Sequence, residues 1–262
     1  MIYEDFININ ANNRIHVVQE IPSKGAHFPM IVMVSGFGAD YHEFGLFDIL
    51  NDAFIQHGFG VIRFSFVGIG KSSGDYSTTT LDDLVAQFKR VIDYTIHDRF
   101  VDRRNIGLFA HGFGAAVLFS SSPIEYFKSL ALSAPMSEPD EALPRLFRRQ
   151  RGYYPDAVST RESPDNTKIR VGSQFWPSLT TQKIKQGITL LTIPTLIIHG
   201  EKDKNIKVYK SVDLYESLMC RKKFVLLDKA DHAFTGDFRQ PFIDQVCLWF
   251  NETLRTEDNT IA

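Results

Sequence analysis

Residues 110–114 read Ala110-His111-Gly112-Phe113-Gly114, the frame in which a nucleophilic serine stands on a tight turn between strand and helix, but the central position is Gly112. In the G-x-S-x-G arrangement the small flanking residues let the turn pack closely while the nucleophile projects from it. Ala110 and Gly114 meet that steric demand, and Ala115 and Ala116 let the following helix lie near the sheet. Gly112 tolerates the unusual φ of such a turn better than serine does, although a plain glycine turn accounts for the same residues. Downstream stand Asp203, in Ile197-Ile198-His199-Gly200-Glu201-Lys202-Asp203, and His232, in Asp228-Lys229-Ala230-Asp231-His232-Ala233-Phe234. A carboxylate that orients an imidazole makes it a general base, toward a serine where one exists and otherwise toward water or an acidic substrate proton. An exposed loop histidine and a turn aspartate are the plain alternatives, and Asp231 reads as a turn former. Ser35 and Ser133 follow other strands and occupy no elbow, so neither is expected to replace the nucleophile. His111 is expected in packing rather than aimed at a ligand.

These residues need elements that bring them together. Met30–Val34, Gly60–Phe64, Asn105–Phe109, Leu130–Leu132, Thr195–Ile198 and Phe224–Leu227 are short apolar runs, the pattern of strands buried on both faces of a sheet. Between them Phe44–His57, Leu81–Ile96, Phe113–Ser121, Tyr209–Met219 and Pro241–Leu254 have helical spacing. Strand and helix alternate, which predicts a mostly parallel sheet covered on both sides. Asp203 and His232 each follow such a strand, so both fall at the same sheet edge as Gly112. The first 20 residues alternate around Asn12-Asn13 and predict an opening hairpin.

The alternation breaks over residues 137–187, about fifty residues without a clear strand, a length that usually marks a functional insertion; it is expected to sit over the strand ends as a cap on one domain spanning 1–262. Arg145, Arg148, Arg149 and Arg151, followed by Tyr153, Tyr154, Phe175 and Trp176, form a mixture able to receive an aromatic or anionic ligand by stacking and charge. A solvated arginine face with aromatics anchoring the segment fits the same residues. Only the last eight or so residues are expected to fray.

Composition narrows the function classes. Lys plus Arg total 29 against 31 for Asp plus Glu, so no excess charge calls for nucleic acid or an anionic membrane. Hydrophobic content of 44% with 22 Phe can fill a large single core. Acids follow Met1 where a leader would carry basic residues, and no run of 18 apolar residues occurs, so a cytoplasmic protein is expected. Cys220 and Cys247 are too few for a disulfide framework, belong to no metal-like cluster and read as buried thiols. Gly68-Ile69-Gly70-Lys71-Ser72 lacks the spacing of a phosphate loop, and no cofactor or metal is expected. The expected partner is a small-molecule ligand, with the oligomeric state left open.

From about Ile31 to Phe250 the chain resembles the α/β-hydrolase family, in particular small bacterial carboxylesterases of the cinnamoyl and feruloyl esterase type. The likeness rests on Val34-Ser35-Gly36-Phe37-Gly38, on Arg63-Phe64-Ser65-Phe66-Val67-Gly68-Ile69-Gly70-Lys71-Ser72-Ser73-Gly74, on the elbow, and on the Asp203 and His232 segments. It implies an α/β-hydrolase fold, a triad position at Gly112 with Asp203 and His232, and oxyanion donors in the backbone N–H groups of Phe37 and Phe113. The chain departs from the family at Gly112, at Ser35 where a His is frequent, and at Ser65 where these esterases commonly carry Asp. A single change would suit laboratory replacement of a serine; the accompanying changes favour natural divergence. Three functions follow: an esterase-lineage protein unable to form an acyl-enzyme, a pseudoenzyme that binds a small ester or acid, and a lyase or cofactor-independent oxygenase run by the His-Asp pair.

Overall fold

The short apolar runs become strands because helices cover them on both faces. The computed structural model of the chain describes residues 1–23, 25, 27–121 and 124–254, so the expected fraying at the C-terminus lies outside the described residues. An opening hairpin pairs β1 (Ile2–Asn8) antiparallel to β2 (Arg14–Glu20). There follow β3 (Phe28–Val34), α1 (Leu46–Gln56), β4 (Gly60–Ser65), α2 (Leu81–His97), β5 (Val101–His111), α3 (Phe113–Ser121) and β6 (Ser129–Ser133). After an insertion come β9 (Thr195–Gly200), α7 (Val208–Ser217), β10 (Lys222–Leu227) and α8 (Arg239–Leu254).

Among the described residues the main sheet has the order β1-β2-β4-β3-β5-β6-β9-β10, parallel from β4 through β10. Strand side chains alternate between faces, and the two cores follow that alternation. Val32, Leu108 and Leu130 join the cluster that holds α2 and α3, whereas Ile31, Met33, Phe109 and Ile198 join the one that holds α1 and α8. Trp249 in α8 donates its indole N–H to the Leu130 carbonyl at 3.0 Å, tying that helix to β6. Thr80 and Asp83 form a reciprocal capping box at the start of α2, an arrangement that stabilises a helix by about 1 kcal/mol.

Three expectations need correction. β10 is not buried on both faces; it is the edge strand, paired only with β9, and its residues are mostly half-exposed. Cys220 is half-buried, unlike the buried Cys247. The segment between β6 and β9 does contain strands: α4 (Pro139–Arg149), the antiparallel pair β7 (Ser159–Glu162) and β8 (Lys168–Val171), α5 (Phe175–Ser178) and α6 (Thr181–Thr189). Each of these strands has four residues and a polar outer side, too short a stretch for a clear period. The expected end of the insertion at Gly187 falls inside α6.

Candidate active site

Parallel strands that end together deliver their following loops to one edge. β5 ends at His111 and α3 begins at Phe113, so Gly112 alone makes the turn, at φ 52°. Its N–H donates to the Ser133 carbonyl at 2.9 Å and its own carbonyl accepts the Met136 N–H at 2.9 Å, fixing the turn to the end of β6. Gly114 is required for a different reason: a Cβ there would stand 2.5 Å from the Val34 carbonyl oxygen and 2.7 Å from that of Ser35. The helix therefore approaches the end of β3 more closely than any side chain permits.

Asp203 lies in the loop after β9 and His232 in the loop after β10. The His232 Nδ1 and Asp203 Oδ2 are 2.7 Å apart. The same carboxylate oxygen lies 3.1 Å from Nε2 of His199, while Oδ1 accepts the N–H groups of Asn205 and Ile206 at 2.7 and 2.9 Å. Burial alone would raise the Asp203 pKa; the charge of His232, the hydrogen bonds of both histidines and the Ile206 N–H outweigh it and hold the carboxyl well below the carboxylate range. His199 is buried and anchored by Ser211 Oγ at 2.7 Å, so it supports the carboxylate from behind. A Cβ built on Gly112 would lie 3.7 Å from His232 Nε2 and within 4 Å of no residue but His232 and its own neighbours.

A cavity of about 620 Å³ opens over this turn, lined by Gly112, His232, Phe37 and Phe113 together with Leu143, Leu146 and Arg161 of the insertion. The Phe37 ring sits 5.5 Å from Phe113, 5.6 Å from Phe147 and 5.5 Å from Phe175, a cluster that holds the loop after β3 against α3. His111 shares hydrogen bonding with Ser133 Oγ at 3.1 Å, as a packed residue would, but it also lines the cavity with its ring 4.6 Å from that of His232. Burial and the neighbouring His232 push its pKa well down, so His111 stays neutral near pH 7.

Four expected ligand contacts are elsewhere. Phe175 is fully buried behind Phe37, and Trp176 packs between Phe147 and Tyr153 with its N–H on Ser159 Oγ at 3.2 Å. Arg148 stacks over Tyr153, and Tyr154 is exposed. None of Tyr153, Tyr154, Phe175 and Trp176 lines the cavity; the rings of Tyr153, Phe175 and Trp176 fasten the insertion to itself and to the aromatic cluster, and Tyr154 faces solvent. Arg145 and Arg149 instead donate to the carbonyls of Asn205 and Lys204, bracing the Asp203 loop. Ser35 Oγ donates to the Ala39 carbonyl and is likewise absent from the cavity wall, and Asp231 accepts from Thr235 as a turn former.

Glu43 is the residue that sequence reasoning missed. It lines the cavity yet is only 6% exposed, and its Oε2 accepts the Gly36 N–H at 2.5 Å. Burial pushes its pKa up to about 7, against the opposing pull of that N–H and of His232. Glu43 and Phe44 both adopt left-handed backbone, at φ 46° and 52°, a conformation that costs a non-glycine residue about 1 kcal/mol or more. Nothing in Tyr41-His42-Glu43-Phe44-Gly45 signals that geometry. His199 was legible only as part of a strand end.

The sheet order, the elbow at the end of β5 and the acid and base after β9 and β10 define an α/β-hydrolase fold. Residues 31–245 match the model of the alpha/beta hydrolase family, and the chain belongs to that family. No curated protein matches it in sequence. Among solved structures it is similar to Est1E from Butyrivibrio proteoclasticus with ferulic acid bound, at 18% identity and TM-score 0.78, covering 95% of this chain and 98% of that one. DcsB in complex with its substrate analogue gives 17% identity and TM-score 0.77, over 97% and 99% of the two chains. Dienelactone hydrolase from Anabaena variabilis gives 14% and 0.64, also over 97% and 99%. Among the described residues no helix is long and apolar enough to cross a membrane.

Proposed function

We propose that the chain binds small carboxylic esters, or the acids derived from them, in the cavity over Gly112, and that it forms no acyl-enzyme because Gly112 stands where the family carries its serine. In this reading His232, oriented by Asp203, is the proton acceptor, the Phe37 and Phe113 N–H groups face a carbonyl oxygen, and the insertion serves as a cap. One observation carries it: the space above Gly112 fits a serine. A hydroxyl hydrogen-bonded at about 2.8 Å to an imidazole puts its own Cβ about 3.6 Å from that nitrogen, and the Cβ position at Gly112 is 3.7 Å from His232 Nε2. The likeness to Est1E with ferulic acid bound supports the ligand class.

The experiment is Gly112→Ser assayed with p-nitrophenyl acetate. Hydrolysis is expected to rise at least about 100-fold over the unchanged chain, since a base-activated nucleophile and oxyanion donors each contribute factors of that size. A folded variant with no gain rules the reading out. A second reading, proton transfer on the ligand without hydrolysis, is favoured by Glu43, a buried carboxyl whose pKa is raised to about 7 and which shares the cavity with His232. It requires a turnover that His232→Ala abolishes and Gly112→Ser leaves in place.

A further inference from the structure

We propose that the ligand carries an anionic group besides its ester or acid carbonyl, and that the Arg161 guanidinium on β7 binds it; this rests on the reading of the cavity as an ester site. Arg161 lines the cavity with Gly112 and His232 and is half-buried. Among the described residues its side chain has no ion pair or hydrogen bond. Burial, and after it the like charge of Arg149, pull its pKa down. A half-sheltered guanidinium that has lost part of its water and has no anion beside it gains from one, and a planar carboxylate matches its fork with two parallel hydrogen bonds.

The acids that share the cavity wall are committed to other partners. Glu43 accepts the Gly36 N–H, and Asp231 accepts the Thr235 N–H and hydroxyl. The other basic residues on the wall differ from Arg161 in being exposed: Lys202, which pairs with Glu201 at 3.2 Å, Lys204 and Arg239. Arg161 is therefore the cation whose environment a bound anion would change most. Its place in the shared cavity wall would hold the anion while the ester carbonyl meets His232.

Isothermal titration of the intact chain with monomethyl adipate and with dimethyl adipate at pH 7.5 separates the anion from the ester. The half-ester is expected to bind about tenfold or more tightly than the diester, the size of a charge-assisted bidentate contact. Arg161→Gln is expected to remove that preference, Arg161→Lys to keep part of it, and Arg104→Gln, at an exposed residue outside the cavity, to change it less than about twofold. Equal binding of the two ligands by the unchanged chain, or full preference retained in Arg161→Gln, overturns the anion subsite and leaves the ester site standing. Binding of neither ligand overturns both.

Discussion

Replacing Glu43 by Gln tests whether the carboxyl in the cavity wall is as desolvated as its surroundings imply. The carboxyl has a pKa of about 7 in the folded chain against a reference of 4.5. Between those values the folded protein keeps a proton that the unfolded chain has released, so stability falls as pH rises through this window and is flat on either side. At about 1.4 kcal/mol per pH unit the fall amounts to about 3 kcal/mol. Glutamine stays neutral throughout, and its amide oxygen can still accept the Gly36 N–H. The stability difference between Glu43→Gln and the parent should therefore move by about 3 kcal/mol in favour of the variant between pH 4.5 and pH 8. Urea unfolding followed by far-UV circular dichroism at several pH values measures it, and titrating groups that do not interact with Glu43 cancel in the difference. A difference that stays constant within about 0.5 kcal/mol across the window would refute the argument, because an unburied carboxyl titrates alike in both states.

The two glycines of the elbow should respond differently to alanine. Gly114→Ala places a Cβ 2.5 Å from a backbone oxygen that cannot yield, so a loss of about 3 kcal/mol or more is expected, whereas Gly112→Ala meets only His232 at an ordinary contact distance of 3.7 Å and the cost of positive φ, about 1 kcal/mol; thermal unfolding of both variants checks the order. In a Gly112→Ser background, Asp203→Asn should lower kcat/KM for p-nitrophenyl acetate about 1,000-fold or more, because the amide no longer fixes the tautomer of His232. Unchanged kinetics would remove the dyad from the chemistry.

The sheet was legible because β3, β4, β5, β6 and β9 each carry a short, mostly apolar run, the mark of burial on both faces, and because parallel strands put Gly112, Asp203 and His232 at one edge. Small residues at Ala110 and Gly114 marked the elbow for a steric reason that the 2.5 Å approach to Val34 makes concrete. Glu43 was not legible, since its place depends on two successive left-handed residues that its neighbours do not announce. The hairpin β7–β8 was missed because four-residue strands carry too few alternations to register. The arginines and aromatics of the insertion suggested a ligand surface from composition, but composition does not say which side of a packed segment a ring faces. Tyr153, Phe175 and Trp176 turn inward to one another, and the insertion's arginine on the cavity wall, Arg161, lies outside the run from Arg145 to Arg151.

Asp203 answers to two histidines, and this shapes what the lineage can lose. His199, enclosed and held by Ser211, keeps a hydrogen bond on the carboxylate whether or not His232 is present. A chain that loses His232 is left with no bare buried charge, just as a chain with Gly112 carries no clash and no unfilled core. Changes at Gly112 and at His232 are thus separable from the scaffold at small cost in folding, and the fold, with the cavity it frames, outlasts either.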